Sequence, residues 1–183
     1  MYSPVSAISV GLVKYRGAEV ADTLYSLIRP PHLYVRPDFT DIHGLTVEDV
    51  KDAPDFARLW ESEMREFIGS TPLVAHNAGF DMKVLSCTLD HYGLAVPALR
   101  YFCSLSLSKR AWPDLRSHAL TSLGREFGIE YEAHNALADA QTCGKIILLC
   151  VEEMSRRKGE GRPLSIADVL RKTGLEMKPL NRQ

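Results

Sequence analysis

One hexapeptide pattern occurs twice in this chain. His76-Asn77-Ala78-Gly79-Phe80-Asp81 and His134-Asn135-Ala136-Leu137-Ala138-Asp139 both read His-Asn-Ala-x-x-Asp. Each copy stands where a helix is predicted to begin. The first follows the apolar run Leu73-Val74-Ala75, and the second follows the turn-like Glu130-Tyr131-Glu132 and opens a long apolar segment. Asn in that place can accept hydrogen bonds from the first free N–H groups of a helix, so both copies predict an Asn cap. Each Asp then falls in the first turn, near the positive end of the helix dipole. A carboxylate held there keeps its charge, which suits a ligand for a hard divalent cation. Either copy alone is ordinary capping chemistry. The five-residue step from His to Asp turns about 500°, about 140° out of register on a helix. His134 and Asp139 therefore converge only if His134 lies on the preceding loop and folds back.

The rest of the chain supplies a frame for these two helices. Val5 to Lys14 and Val20 to Ile28 are β-rich and flank the turn Arg16-Gly17-Ala18, which predicts an antiparallel hairpin. Pro30-Pro31 ends it, and a loop is expected to Leu45. Thr46 with Asp49 predicts a capping box on a short helix. Phe56, Leu59, Trp60, Met64, Phe67 and Ile68 fall at helical spacing and predict a helix from Pro54 to Ile68. Further helices are expected at Ala78–Tyr92, Leu105–Ala111, Ala119–Phe127 and Ala136–Met154, with a strand at Leu99–Cys103. Strands first, then short strands alternating with helices, predict an α/β fold with a mixed β-sheet flanked by helices. The 183 residues suit one domain. It is placed at residues 1–154, and 155–183 are read as a charged linker with a peripheral helix and tail, in which Ser165 and Asp168 have the pattern of a cap.

Composition narrows the function classes. The formal net charge is −1, so no basic tail marks nucleic-acid binding, although a local basic groove can serve on a neutral protein. The four cysteines form no Cys-x-x-Cys pair, which argues against a zinc ribbon and a thioredoxin-type motif. Reduced thiols are expected. The apolar run Ile146 to Val151 is far short of the about 20 residues that a membrane span needs. Met1-Tyr2-Ser3-Pro4 shows no charged region before an apolar stretch, so a cytoplasmic location is expected.

Three segments in order carry a family likeness. Leu73 to Asp81 resembles the second exonuclease motif of the DnaQ-like 3′–5′ exonucleases, whose core is Asn-x-x-Phe-Asp. His134 to Asp139 resembles the third motif, His-x-x-x-x-Asp, of the histidine subtype called DEDDh. Ile42-His43-Gly44-Leu45-Thr46 resembles the family's Ile-His-Gly-Ile/Leu-Thr segment before the first helix. Spacing agrees, and the likeness covers about Val5 to Val151. The resemblance implies a ribonuclease H-like sheet and release of nucleoside 5′-monophosphates from DNA or RNA 3′ ends by two-metal-ion hydrolysis. It makes Asp81 and Asp139 ligands of Mg²⁺ or Mn²⁺ and His134 the general base. It places His43 and Gly44 beside the terminal nucleotide, where a glycine lets backbone approach closely. Asn77 and Phe80 are substrate-binding candidates, with capping the expected duty of Asn77 and core packing that of Phe80. Arg100, Lys109, Arg110 and Arg116 are candidates for phosphate contact, and His76 is left without a role. The implied partners are single-stranded DNA or RNA 3′ ends, with a second copy of the chain or a polymerase or repair protein beside them, and no membrane.

The family's first motif, Asp-x-Glu on a strand preceding the segment that matches Val5 to Lys14, is not in this sequence. Glu19 and Asp22 have the wrong spacing and lie by the hairpin turn. The sheet is therefore expected to lack the family's first strand, with domain 1–154 incomplete at its N-terminus. A true start upstream is the favoured explanation, because the retained motifs are undamaged. A partner segment that completes the sheet and a short form that no longer cuts are the others. The rival function is a catalytically inactive or weakened nucleic-acid-binding or interaction module on the same fold. A third class, a hydrolase of small phosphorylated substrates, would use a similar metal site.

Overall fold

The structure is a computed structural model that describes residues 5–159 and 162–181. Met1 to Pro4, where no leader was read, lie outside the described residues. Strands β1 (Ser9–Arg16) and β2 (Glu19–Leu27) form the expected hairpin, paired from Ser9 with Leu27 to Arg16 with Glu19. Its turn uses Gly17 at φ 64°, backbone that glycine enters without strain. Strand β3 (Leu73–Ala75) runs parallel to β4 (Arg100–Cys103), and β5 (Lys178–Pro179) adds antiparallel to β4. The strands thus make two small sheets, β1-β2 and β3-β4-β5. Among the described residues nothing pairs with the outer edge of β1 or the free edge of β3. The expected α/β class holds, with helices flanking both sheets.

Helix α8 (Ala136–Lys158) lies against β1 and reaches β3. Two glycines make that packing possible. A Cβ on Gly11 would stand 2.4 Å from the backbone of Ala136 and Leu137. A Cβ on Gly144 would stand 2.2 Å from the ring of Tyr15, whose hydroxyl donates to the Gln141 carbonyl at 3.1 Å. Around this seam lie two apolar clusters. Leu24, Ile28, Phe56, Leu59, Trp60 and Leu89 belong to one, and Phe102, Leu107, Leu123, Ile146 and Val169 to the other. Each such side chain contributes roughly 1.5–3 kcal/mol by leaving water.

Several elements differ from the sequence reading. Helix α1 (Pro37–His43) occupies the predicted loop. Pro37 sits in its first turn, where a missing N–H does no harm, but the helix buries no residue, so no apolar periodicity announced it. Helix α2 (Val47–Val50) carries the expected capping box of Thr46 and Asp49. The helix predicted from 54 to 68 is α3 (Phe56–Leu59), a π-helical turn (Trp60–Met64) and α4 (Arg65–Ile68). Trp60, Met64 and Ile68 are all buried at four-residue steps. Such steps drift around an α-helix of about 3.6 residues per turn, and a wider turn corrects the drift. Helices α5 (Gly79–His91), α6 (Ser104–Ala111) and α7 (Leu120–Glu126) fall close to their predicted spans.

The tail is not peripheral. Helix α8 continues past Met154 to Lys158 because Arg156 and Arg157 both reach Glu153, at 2.9 and 2.6 Å, and basic side chains suit the last turn of a helix. Helix α9 (Ile166–Thr173) is capped by the Ser165–Asp168 box as expected, and it buries Val169 and Leu170. Leu180 joins the first apolar cluster, and the Asn181 carbonyl accepts from Ser86 Oγ at 2.7 Å. Amphipathic packing of α9, which a short charged segment does not advertise, draws the tail in. Among the described residues no helix is long and apolar enough to cross a membrane.

Replacing Gly11 by Ala should be severe, because the added carbon meets backbone that has no rotamer to change. We expect a loss of about 2–3 kcal/mol in urea unfolding, the upper part of the range for overpacking. A matching change at Gly17, where a Cβ meets nothing within 4 Å, should lose only the smaller cost of its positive φ.

Candidate active site

The two copies of the hexapeptide are built differently. In the second, Asn135 caps α8 as expected, its Oδ1 accepting from the N–H groups of Leu137 and Ala138 at 3.1 Å each. His134 takes the left-handed conformation at φ 67° on the turn before α8, and its N–H and its charge both favour the ionised form of Asp139. In the first copy the left-handed residue is Asn77, also at φ 67°, and Ala78 stands at the N-cap with no side-chain bond. Asn77 is exposed and does not cap α5, contrary to expectation. The Cys103 sulfur stands near that turn without capping α5. Burial raises the thiol's pKa, but N–H groups of Ser106, Ala78 and Asn77 outweigh it and hold the thiol below its ordinary range. Cys103 pairs with Ala75 across the parallel strands, which sets it beside the turn.

The folds of the two turns bring Asp81 and Asp139 close enough for their charges to interact. Burial pushes the Asp81 carboxyl up to about 6, and the Asp139 charge adds to the rise. Asp81 is nevertheless exposed by accessible surface. Neighbouring atoms thus desolvate the carboxylate in part while water still reaches it, which weakens the effect of its charge. Burial also raises Asp139, against the N–H and the charge of His134. The helix dipole was expected to hold both groups ionised. It is outweighed by burial, which disfavours the charged form of both groups, and at Asp81 the charge of Asp139 adds to the rise.

His43 ends α1 beside His134, and its pKa is lowered first by burial and then by the charge of His134. The Leu45 N–H donates to His43 Nδ1 at 3.1 Å, so the neutral ring carries its proton on Nε2. Gly44 follows at φ 75° and closes α1 through its N–H to Thr40. A Cβ there would touch nothing within 4 Å, so backbone conformation, not a close neighbour, accounts for the glycine. Phe80, expected in the core, is 54% exposed in the first turn of α5 beside Asp81. Arg100 is drawn away to the tail, donating to the Met177 carbonyl at 3.0 Å.

Tyr131 was read only as a turn residue. Its ring lies over Gly124, where a Cβ would come within 3.1 Å, and its hydroxyl is buried. That hydroxyl influences the ionisation of Asp139 yet finds no acceptor at hydrogen-bonding geometry. It is a polar neighbour of Asp139 and not a formed hydrogen bond. Two concavities, of about 430 Å³ beside Val96 and Leu180 and about 540 Å³ between β2 and the π-helical turn, hold none of these residues. Among the described residues no group of three or more His, Cys, Asp or Glu could hold a metal ion.

Comparison with known proteins bears on this arrangement. The RNase_T family model, described as exonuclease, matches residues 3–147. A PolC-type DNA polymerase III of Halalkalibacterium halodurans is 29% identical over 151 residues, 82% of this chain and 10% of that protein. The Bacillus subtilis PolC-type enzyme is 28% identical over 153 residues, with the same shares of 82% and 10%. The chain thus spans about 10% of the length of these relatives. Exonuclease X, solved in complex with 5′ overhanging duplex DNA, superimposes with a TM-score of 0.70 at 20% identity over 93% of both chains. The nuclease domain of 3′hExo, a DEDDh family member bound to rAMP, gives 0.68 at 18% identity over 86% of this chain and 84% of that one. At such identities the likeness is one of fold.

The raised Asp81 pKa makes a stability prediction with a definite sign. The folded protein binds this proton more tightly than the unfolded chain, so its contribution is present at low pH and is lost as pH rises from about 4 to about 6. Asp81→Asn should therefore stabilise the metal-free protein at pH 7.5, by about 1 kcal/mol after allowing for solvent screening. At pH 4 it should have little effect. Urea unfolding in chelator at the two pH values measures the difference.

Proposed function

The chain belongs to the DnaQ-like 3′–5′ exonuclease family, and on that premise we propose that it removes nucleoside 5′-monophosphates from DNA or RNA 3′ ends by metal-dependent hydrolysis. The observation that carries the reading is that Asp81, Asp139 and His134 lie near enough for their charges to interact, with burial opposing the ionisation of both carboxyls. A bound cation would favour their charged forms. The donor set fits a hard ion in kind, since both ligands are carboxylate oxygens, and favours Mg²⁺ or Mn²⁺ over zinc. It does not complete a site by itself, and the family pattern draws two further carboxylates from its Asp-x-Glu motif. When bound, divalent ions of this kind neutralise charge on the scissile phosphate and on the oxygens that enter and leave it.

The chain's own residues then do the following. His134 accepts a proton from the attacking water. Water oxygen bonds to phosphorus, the bond from phosphorus to the upstream O3′ breaks, and that oxygen takes a proton from solvent to leave the shortened strand with a 3′-hydroxyl. Asp139 lies near enough to His134 for the histidine's charge to favour the ionised carboxylate. His43, Gly44, Asn77 and Phe80 border the terminal nucleotide, and the exposed Phe80 ring offers a face for its base. That 3′hExo binds rAMP and Exonuclease X binds duplex DNA supports a nucleic-acid substrate and leaves both sugars open. The PolC-type relatives support a DNA polymerase as the associated partner.

The test uses the full-length protein and a 5′-labelled single-stranded oligonucleotide, as DNA and as RNA, with Mg²⁺ or Mn²⁺. Stepwise shortening with release of 5′-monophosphates is expected. Asp81→Ala and Asp139→Ala should each abolish it, and His134→Ala should slow it by about 10²–10⁴-fold. Shortening that persists in excess chelator, or in the double Asp variant, would remove this mechanism. Tight capture of 3′ ends without shortening would instead favour a binding module, which the presence of only two converging carboxylates among the described residues makes the second reading. Preference for free nucleotides over oligonucleotides would point to a small-phosphoester hydrolase.

A further inference from the structure

His76, one residue before the left-handed Asn77, has no part in the chemistry described above, and it is the centre of a polar network that joins four segments. His76 Nδ1 lies 2.9 Å from Ser104 Oγ, and His76 Nε2 lies 2.8 Å from the carbonyl of His118. Ser104 Oγ is also 3.2 Å from the Ala75 carbonyl and accepts from Cys143 Sγ at 3.3 Å. Ser108 Oγ reaches the His118 ring at 3.1 Å. Ser104 and Ser108 are wholly buried and Cys143 nearly so. The end of β3, the start of α6, the loop before α7 and the middle of α8 therefore meet on one imidazole.

Counting protons fixes the form of the ring. A backbone carbonyl only accepts, so His76 Nε2 donates to His118. A neutral ring then has a lone pair on Nδ1, and the single Ser104 hydroxyl proton goes there, over the shorter of its two distances. Cys143 supplies its own thiol proton to Ser104, and burial holds that thiol neutral by pushing it up to about 12. With His76 uncharged, both ring nitrogens and the thiol proton are paired, and the Ala75 carbonyl at 3.2 Å does not receive the Ser104 proton. Burial likewise lowers the pKa of His76, ahead of the opposing bond to His118.

The chain needs such a strut at this place. Asn77 holds a conformation that strains a residue with a Cβ, and α5 begins without a side-chain cap from its own N-terminus. We propose that His76, as the neutral Nε2–H tautomer, is a positioning residue that locks the turn before α5 to α6 and to the His118 loop, and thereby sets where Asp81 stands relative to Asp139. The metal-related part of this inference rests on the reading of Asp81 and Asp139 as ligands. The strut itself does not.

The experiment separates the two. In full-length protein with ¹⁵N-labelled histidine, His76 should show the nitrogen shifts of a neutral Nε2–H ring at pH 7. In His76→Ala, backbone amides of residues 77–82 and 116–120 should lose exchange protection together, while those of Ile146 and Cys150 keep theirs. His76→Gln, which retains a donor toward His118, should restore protection to both segments. Ser104→Ala removes the proton that the ring accepts and, being mild, serves if His76→Ala does not fold; it should loosen residues 77–82. An Nδ1–H or cationic His76 at pH 7, or unchanged protection in the Ala variants, overturns the strut. Mn²⁺ binding, read from the free-ion electron-spin signal, should weaken about tenfold in His76→Ala and recover in His76→Gln. Equal Mn²⁺ binding in the wild type and His76→Ala would overturn its control of Asp81. No Mn²⁺ binding in the wild type would count against the metal-site reading, and the exchange data would then decide the strut alone.

Discussion

Backbone meets backbone where β1 crosses the start of α8, and the placement of the second motif depends on that contact. Gly11 leaves no side chain between the strand and the Ala136–Leu137 peptide, and Gly144 leaves room for the Tyr15 ring half-way along the helix. A helix seated this closely has little freedom to slide, since interiors pack too densely to absorb a displaced backbone. The Asn135 cap and the left-handed His134 are then carried to a fixed position against the sheet. Asp139, in the first turn of the same helix, inherits that position.

The first motif reaches the same place by other means. Its turn has no cap from Asn77 and instead rests on the His76 network behind it. The result is a pair of carboxylates in an environment that favours their neutral forms. A fold selected only for stability would not keep such a pair, and sites arranged for chemistry commonly oppose stability in this way. Tyr131 belongs to the same pattern, a buried hydroxyl beside Asp139 with no acceptor of its own.

Much of the frame was legible in the chain. Hairpin, helix order and the Thr46–Asp49 and Ser165–Asp168 boxes follow from local periodicity and capping chemistry, and each is present. Local rules failed where the decisive contact was distant. Helix α1 is short and buries nothing, so no periodic stripe marked it. Trp60 and Met64 impose a π-helical turn through burial on elements far away in sequence. Phe80 has the composition of a core residue and the position of a surface one.

The repeated hexapeptide shows where the division falls. Its residue types determined that two helices would begin there, that each would carry an Asp in its first turn, and that His134 would have to fold back to reach Asp139. Identical local patterns also predicted identical turns. Tertiary structure decided otherwise: Asn135 caps while Asn77 does not, and the left-handed residue is His in one copy and Asn in the other. The reason is physical. A side chain caps only where the backbone sets it against the first free N–H groups: Asn135 is extended and stands directly before α8, whereas Asn77 is left-handed and Ala78 takes the place before α5. The ionisation of Asp81 and Asp139 is likewise a property of their meeting, which no segment of sequence contains.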